Sequence, residues 1–118
     1  MFNSQELTNL AWAYATAGRD SPVLFEAISK EATLRLRSRS PDAGYEFTSQ
    51  GLANMVWSFA TLRYEAPVLF REIAKEATSR LSEFKSEELS MTAWAYASSA
   101  EVEVSELFAA LANESALR

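Results

Sequence analysis

Two amides and a tryptophan recur at one spacing. Gln5, Asn9 and Trp12 are matched, 45 residues on, by Gln50, Asn54 and Trp57. Residues three, four and seven apart share one face of an α-helix, so each set forms a stripe. Thr16 extends the first stripe, and Ser58 and Thr61 extend the second. A carboxamide carries donors and an acceptor side by side. It can read a base edge bidentately, or it can satisfy backbone groups between neighbouring helices. Both uses are open at this stage, and both are recognition rather than reaction. A third stripe around Trp94, 37 residues beyond Trp57, holds Glu87, Met91 and Ser98 and breaks the amide pattern.

Reacting groups are scarce. The 118 residues include no cysteine and no histidine, which removes thiol nucleophiles, Cys/His zinc sites, disulfides and imidazole bases. Glu87 and Glu88 are adjacent and point to different helix faces, Glu101 and Glu103 fall in a loop, and Asp20 and Asp42 fall in turns. None forms a carboxylate pair of set separation. Gly18, Gly44 and Gly51 are isolated and make no phosphate loop. The expectation is a protein that is not an enzyme and uses no metal or other cofactor.

The stripes need helices to hold them, and the chain supplies these by repetition. "LAWAYA" (10–15), "MVWSFA" (55–60) and "TAWAYA" (92–97) are one apolar phrase written three times. Phe2, Phe47 and Phe84 open the copies, "LF" falls at 24–25, 69–70 and 107–108, and "KEAT" at 30–33 and 75–78. The copies run over 2–46, 47–83 and 84–118, the first carrying an inserted loop at 38–45, "SRSPDAGY". In each copy a first helix is expected to follow Ser4, Ser49 or Ser86 as N-cap, with Leu7, Leu10, Ala11, Tyr14 and Ala15 marking its apolar face in copy one. "AGRDS" (17–21) and "LRYEA" (62–66) end it, and Pro22 and Pro67 suit the first turn of a second helix. That helix is expected to run to about Leu36, to Leu81 and to the end of the chain. The fold expected is all-α: one domain, a right-handed α-solenoid of three helical hairpins, with Trp12, Trp57 and Trp94 as its inter-repeat core.

The phrases "FNSQELTNLAWAYATAG" and "FTSQGLANMVWSFATL", each followed by "PVLF" and "EAT.RL", resemble octotricopeptide repeats of algal and protist organelles. The resemblance extends along essentially the whole chain. It implies a nucleus-encoded organellar protein, in a plastid rather than a mitochondrion, with RNA as its usual ligand in transcript processing, stability or translation.

Charge points elsewhere. With 11 Lys+Arg against 16 Asp+Glu, the net charge of −5 opposes nucleic acid and acidic lipid. Cations of the second helices recur behind a carboxylate, as in Glu31/Arg35, Glu76/Arg80, Glu114/Arg118 and Glu26/Lys30, the pattern of a solvated helix face rather than of a phosphate-binding column. The local exception is Arg35, Arg37 and Arg39, a basic run before the inserted loop. It is either a favourable helix C-terminus or a partner contact. One base per repeat at about 1–3 kcal/mol gives roughly 3–9 kcal/mol from three repeats, against an association cost of about 4–15 kcal/mol. Protein subunits of a larger assembly, a ribosome or photosynthetic complex, are therefore the expected partners of a non-catalytic scaffold or accessory subunit. Single-stranded RNA is the alternative. Uncharged runs are too short for a membrane span, and the N-terminus, with Glu6 early and no basic region, reads as neither signal nor transit peptide.

Overall fold

The computed structural model describes residues 2–38, 46–99 and 104–118. Six α-helices follow in order: α1 (Ser4–Thr16), α2 (Pro22–Ser38), α3 (Ser49–Thr61), α4 (Pro67–Thr78), α5 (Ser86–Ser98) and α6 (Ser105–Ala116). A single 3₁₀ turn, Leu81–Glu83, follows α4, and no strand occurs among the described residues. The inserted loop, with Arg39, lies outside them.

The helices start one residue earlier than the serines imply. Asn3 caps α1 by accepting the Glu6 N–H at 2.8 Å, while the Glu6 carboxylate accepts the Asn3 N–H at 2.8 Å. Thr48 caps α3 by accepting the Gly51 N–H at 2.9 Å. At α5 the cap residue is Lys85, whose N–H donates to the Glu88 carboxylate at 2.9 Å. The serines stand just inside, and two of them bond carboxylates distant in sequence instead. Ser4 donates to Glu46 at 2.6 Å and Ser49 to Glu88 at 3.0 Å.

Each odd-numbered helix packs on the even-numbered helix that follows it. The closest packing runs from α1 to α3 to α5, with α2, α4 and α6 forming the parallel series. Small residues make the first series close: Ala11, Ala53, Ser58 and Ala95 are fully buried along it. Beside Gly51, a Cβ would stand 3.2 Å from the Thr48 cap hydroxyl and 3.6 Å from the Thr8 hydroxyl of α1, so the glycine leaves room for its own cap.

The tryptophans are not the core. Trp12 is 46% exposed, Trp94 is 47% exposed, and Trp57 is partly exposed. The second aromatic of each phrase, two residues on, points inward instead. Phe59 and Tyr96 are buried, and Tyr14 is half-buried. Phe25 of α2 meets Phe59 at 4.8 Å between ring centroids and Tyr64 at 5.9 Å. Phe70 of α4 meets Tyr96 of α5 at 5.1 Å. The physical reason is angular: Trp lies some 200° around the helix from the second aromatic, and both cannot face one neighbour.

Candidate recognition face

The outward tryptophans carry the polar stripe with them. Gln5, Asn9, Thr16 and Gln50 are exposed and Asn54 is half-exposed, on the same side of α1 and α3 as Trp12 and Trp57. No side-chain hydrogen bond holds any of the four amides among the described residues, so they do not form a ladder between helices. The two amide pairs meet at a notch of about 130 Å³ between the N-terminal halves of α1 and α3, whose wall also includes Thr8 and Glu46. That is well below the roughly 300–1,000 Å³ of a small-molecule site. The notch suits a single side chain or peptide group.

Of three hydroxyls anticipated on this face, two are engaged by backbone carbonyls and one is turned inward. Ser58 is buried and donates to the Asn54 carbonyl at 2.7 Å. Thr16, although exposed, donates to the carbonyls of Trp12 and Ala13 at 3.0 and 3.1 Å. The Thr61 hydroxyl oxygen is turned into the protein, with no hydrogen-bond partner among the described residues.

Further along, Trp94, Arg63, Tyr64 and Glu65 line an open cleft of about 640 Å³ between the C-terminal ends of α3 and α5. Arg63 holds a left-handed backbone, φ 57°, where the corresponding turn after α1 has Gly18 at φ 67°. Glu87 stands exposed where the first two copies have glutamine.

The cations of the second helices are not a solvated column. Arg80 is 3% exposed; it donates to the Phe47 carbonyl at 2.9 Å and pairs with Glu76 at 3.1 Å and Glu83 at 3.3 Å. Arg35 donates to the Phe2 carbonyl and pairs with Glu31 at 2.8 Å and Glu46 at 3.4 Å. Arg118 donates to the Phe84 carbonyl and pairs with Glu114 at 3.2 Å. Each arginine thus clamps the end of its second helix to the phenylalanine that opens the same copy. A planar fork can hold a carboxylate and a carbonyl together; an ammonium point charge cannot do so in the same geometry. Arg35 is therefore committed inside the protein and not offered to a partner. Arg37 pairs with Glu72 of α4 at 3.3 Å while staying largely exposed, and Lys30 and Lys75 pair with Glu26 and Glu72 at 3.3 and 3.5 Å. Glu31, Glu76 and Glu114 are thus the partners of a clamp that the one-turn spacing alone did not distinguish from surface pairing.

Among the described residues, Arg19, Arg63, Arg71 and Lys85 form no ion pair, and no cluster of acidic side chains is arranged to hold a metal ion. No helix among them is long and apolar enough to cross a membrane. No family model, curated protein or solved structure matches the chain.

Proposed function

We propose that this chain is a non-catalytic helical-repeat scaffold, a right-handed solenoid of three hairpins that docks a partner protein along its α1–α3–α5 face. The observation that carries the reading is the pairing of an outward tryptophan–amide stripe with arginines at the second-helix ends, Arg35, Arg80 and Arg118, that are clamped to the protein's own carbonyls and carboxylates. Free amides complement the N–H and C=O of an extended polypeptide. The exposed Trp94 indole, lining one cleft with Glu65, suits a Lys or Arg side chain, through a ring face and a carboxylate at once. A net charge of −5 favours the same partner. The class of ligand is an extended, basic segment of another protein. The resemblance to octotricopeptide repeats carries the proposal to a large organellar assembly, in a plastid.

Single-stranded RNA is the second reading. It draws on the Trp94–Arg63–Tyr64 cleft, where a base could stack beside an unpaired cation. Selection from a random-peptide display library, followed by calorimetry, separates the two. Extended Lys/Arg-containing peptides should be enriched, and Asn9→Ala with Asn54→Ala should weaken them about tenfold or more. Micromolar binding of a single-stranded RNA pool at physiological salt, lost in the same variants, with no peptide enriched, would overturn the proposal in favour of RNA.

A further inference from the structure

The two joints between hairpins are built alike. At each, a buried phenylalanine of the earlier hairpin, Phe25 or Phe70, packs on the second-aromatic column of the next, Phe59 or Tyr96, at 4.8 and 5.1 Å. At the second joint Tyr96 also donates to the Phe70 carbonyl at 2.6 Å. Ser49 donates across the same joint to Glu88 at 3.0 Å. The opening residues Phe47 and Phe84 are buried. On the earlier helix Thr8 and Ala53 are covered, and on the later one Ser58 and Ala95.

Both ends of the molecule carry unmatched halves of this same joint. At the α5–α6 end, Phe108 stands where Phe25 and Phe70 stand, yet is 39% exposed. Ser86 and Ser90, in the places of Ser49 and Ala53, are exposed beside it. With Leu89, Ala93 and Leu111 they line a groove of about 480 Å³. At the α1–α2 end, Phe2 is 54% exposed where Phe47 and Phe84 are buried. Ala13 is exposed where Ser58 and Ala95 are fully buried, and Tyr14 is half-buried where Tyr96 is covered. Glu6 closes its capping box as Glu88 does, by accepting its cap residue's N–H at 2.8 Å, and has no cross-joint serine among the described residues.

We infer that the chain associates head to tail with a second copy of itself, the α5–α6 end of one copy taking the α1–α2 end of the next in the geometry of the internal joints. Phe108 then meets Tyr14, Ser86 meets Glu6, and Phe2 is covered. Residue for residue, each end supplies what the other lacks, and the two internal joints are the template. Such a contact is heterologous, so it does not close at two copies and growth continues with concentration. Each copy carries −5, and the contact itself is mostly apolar. Raising salt screens the repulsion, the Debye length falling to about 8 Å at physiological ionic strength, and therefore strengthens association.

Sedimentation equilibrium on the full chain tests this. The weight-average mass should rise with protein concentration, more steeply at physiological than at low salt. Ala13→Arg blocks the head and Ser90→Arg blocks the tail, both at exposed positions that leave the hairpins intact, which circular dichroism verifies. Each variant alone should be monomeric, and an equimolar mixture should give a one-to-one dimer of twice the monomer mass, because one free tail then meets one free head. A wild-type chain that stays monomeric at several hundred micromolar overturns the inference and leaves the ends to further repeats or another protein. Variants that still associate alone, or a mixture that stays monomeric, overturn it equally.

Discussion

Arg80 shows how much one side chain carries. It lies inside the protein, with two carboxylates and a backbone carbonyl around its guanidinium. Removing one partner of a buried pair costs about 3–5 kcal/mol because the other charge is stranded. Arg80→Ala is expected to lose that much in urea denaturation, while Lys30→Ala, at an exposed pair, changes stability by less than about 1 kcal/mol. Equal losses in the two variants would show that the clamp contributes nothing beyond a surface pair. Tyr96 gives a second test. Burial pushes its hydroxyl pKa well above the ordinary tyrosine value. In the unfolded chain the proton leaves at about pH 10, whereas the folded state keeps it. The stabilisation is complete below that pH and is lost as pH rises through the range above it. Tyr96→Phe should therefore flatten the alkaline end of the stability–pH curve, at a cost near neutrality of about 0.5–1.5 kcal/mol for the bond to Phe70. A curve of unchanged slope would sink that assignment.

At the scale of elements, the turns after α1 and α3 are one motif made from different residues. Arg19 N–H donates to the Tyr14 carbonyl at 2.9 Å and Gly18 N–H to Ala15 at 3.1 Å. Tyr64 repeats the first bond to Phe59 at 2.9 Å, and Arg63 the second to Ala60 at 3.0 Å. This double bond pattern needs a left-handed residue, which glycine adopts without steric cost. Arg63 bears a Cβ clash of about 1–2 kcal/mol there. Arg63→Gly should stabilise the chain by about 1 kcal/mol and raise Tm by several degrees in a thermal melt. No gain would mean that the arginine side chain makes good the strain. Strain retained beside Trp94, in the cleft that Arg63 lines, fits a site kept for recognition.

For the whole molecule, two separate surfaces emerge. The tryptophans run along α1, α3 and α5 with the amides on the first two, while the surfaces proposed to stack lie at the two ends of the series. Ser90→Arg, which blocks one end, should leave peptide binding unchanged, so the two proposals stand or fall apart. Three copies of one phrase, a proline at the start of two of the second helices and turn residues between were enough to place the helices to within about three residues. Composition alone removed thiol and imidazole chemistry. What stayed hidden was the rotation of each helix about its axis. Spacing fixes the angles between side chains of one helix, so Trp12, Gln5 and Asn9 had to lie on one side and Tyr14 on another. It does not fix which side meets a neighbour. Only packing decided that: the small residues around Ala11, Ala53 and Ala95 let the odd-numbered helices approach, and the tryptophans were left outside. The arginine clamps were hidden for a related reason. A glutamate one turn earlier is the mark of a surface pair, and the deciding contact joins each arginine to a phenylalanine carbonyl more than thirty residues away, which the folded hairpin alone brings within reach.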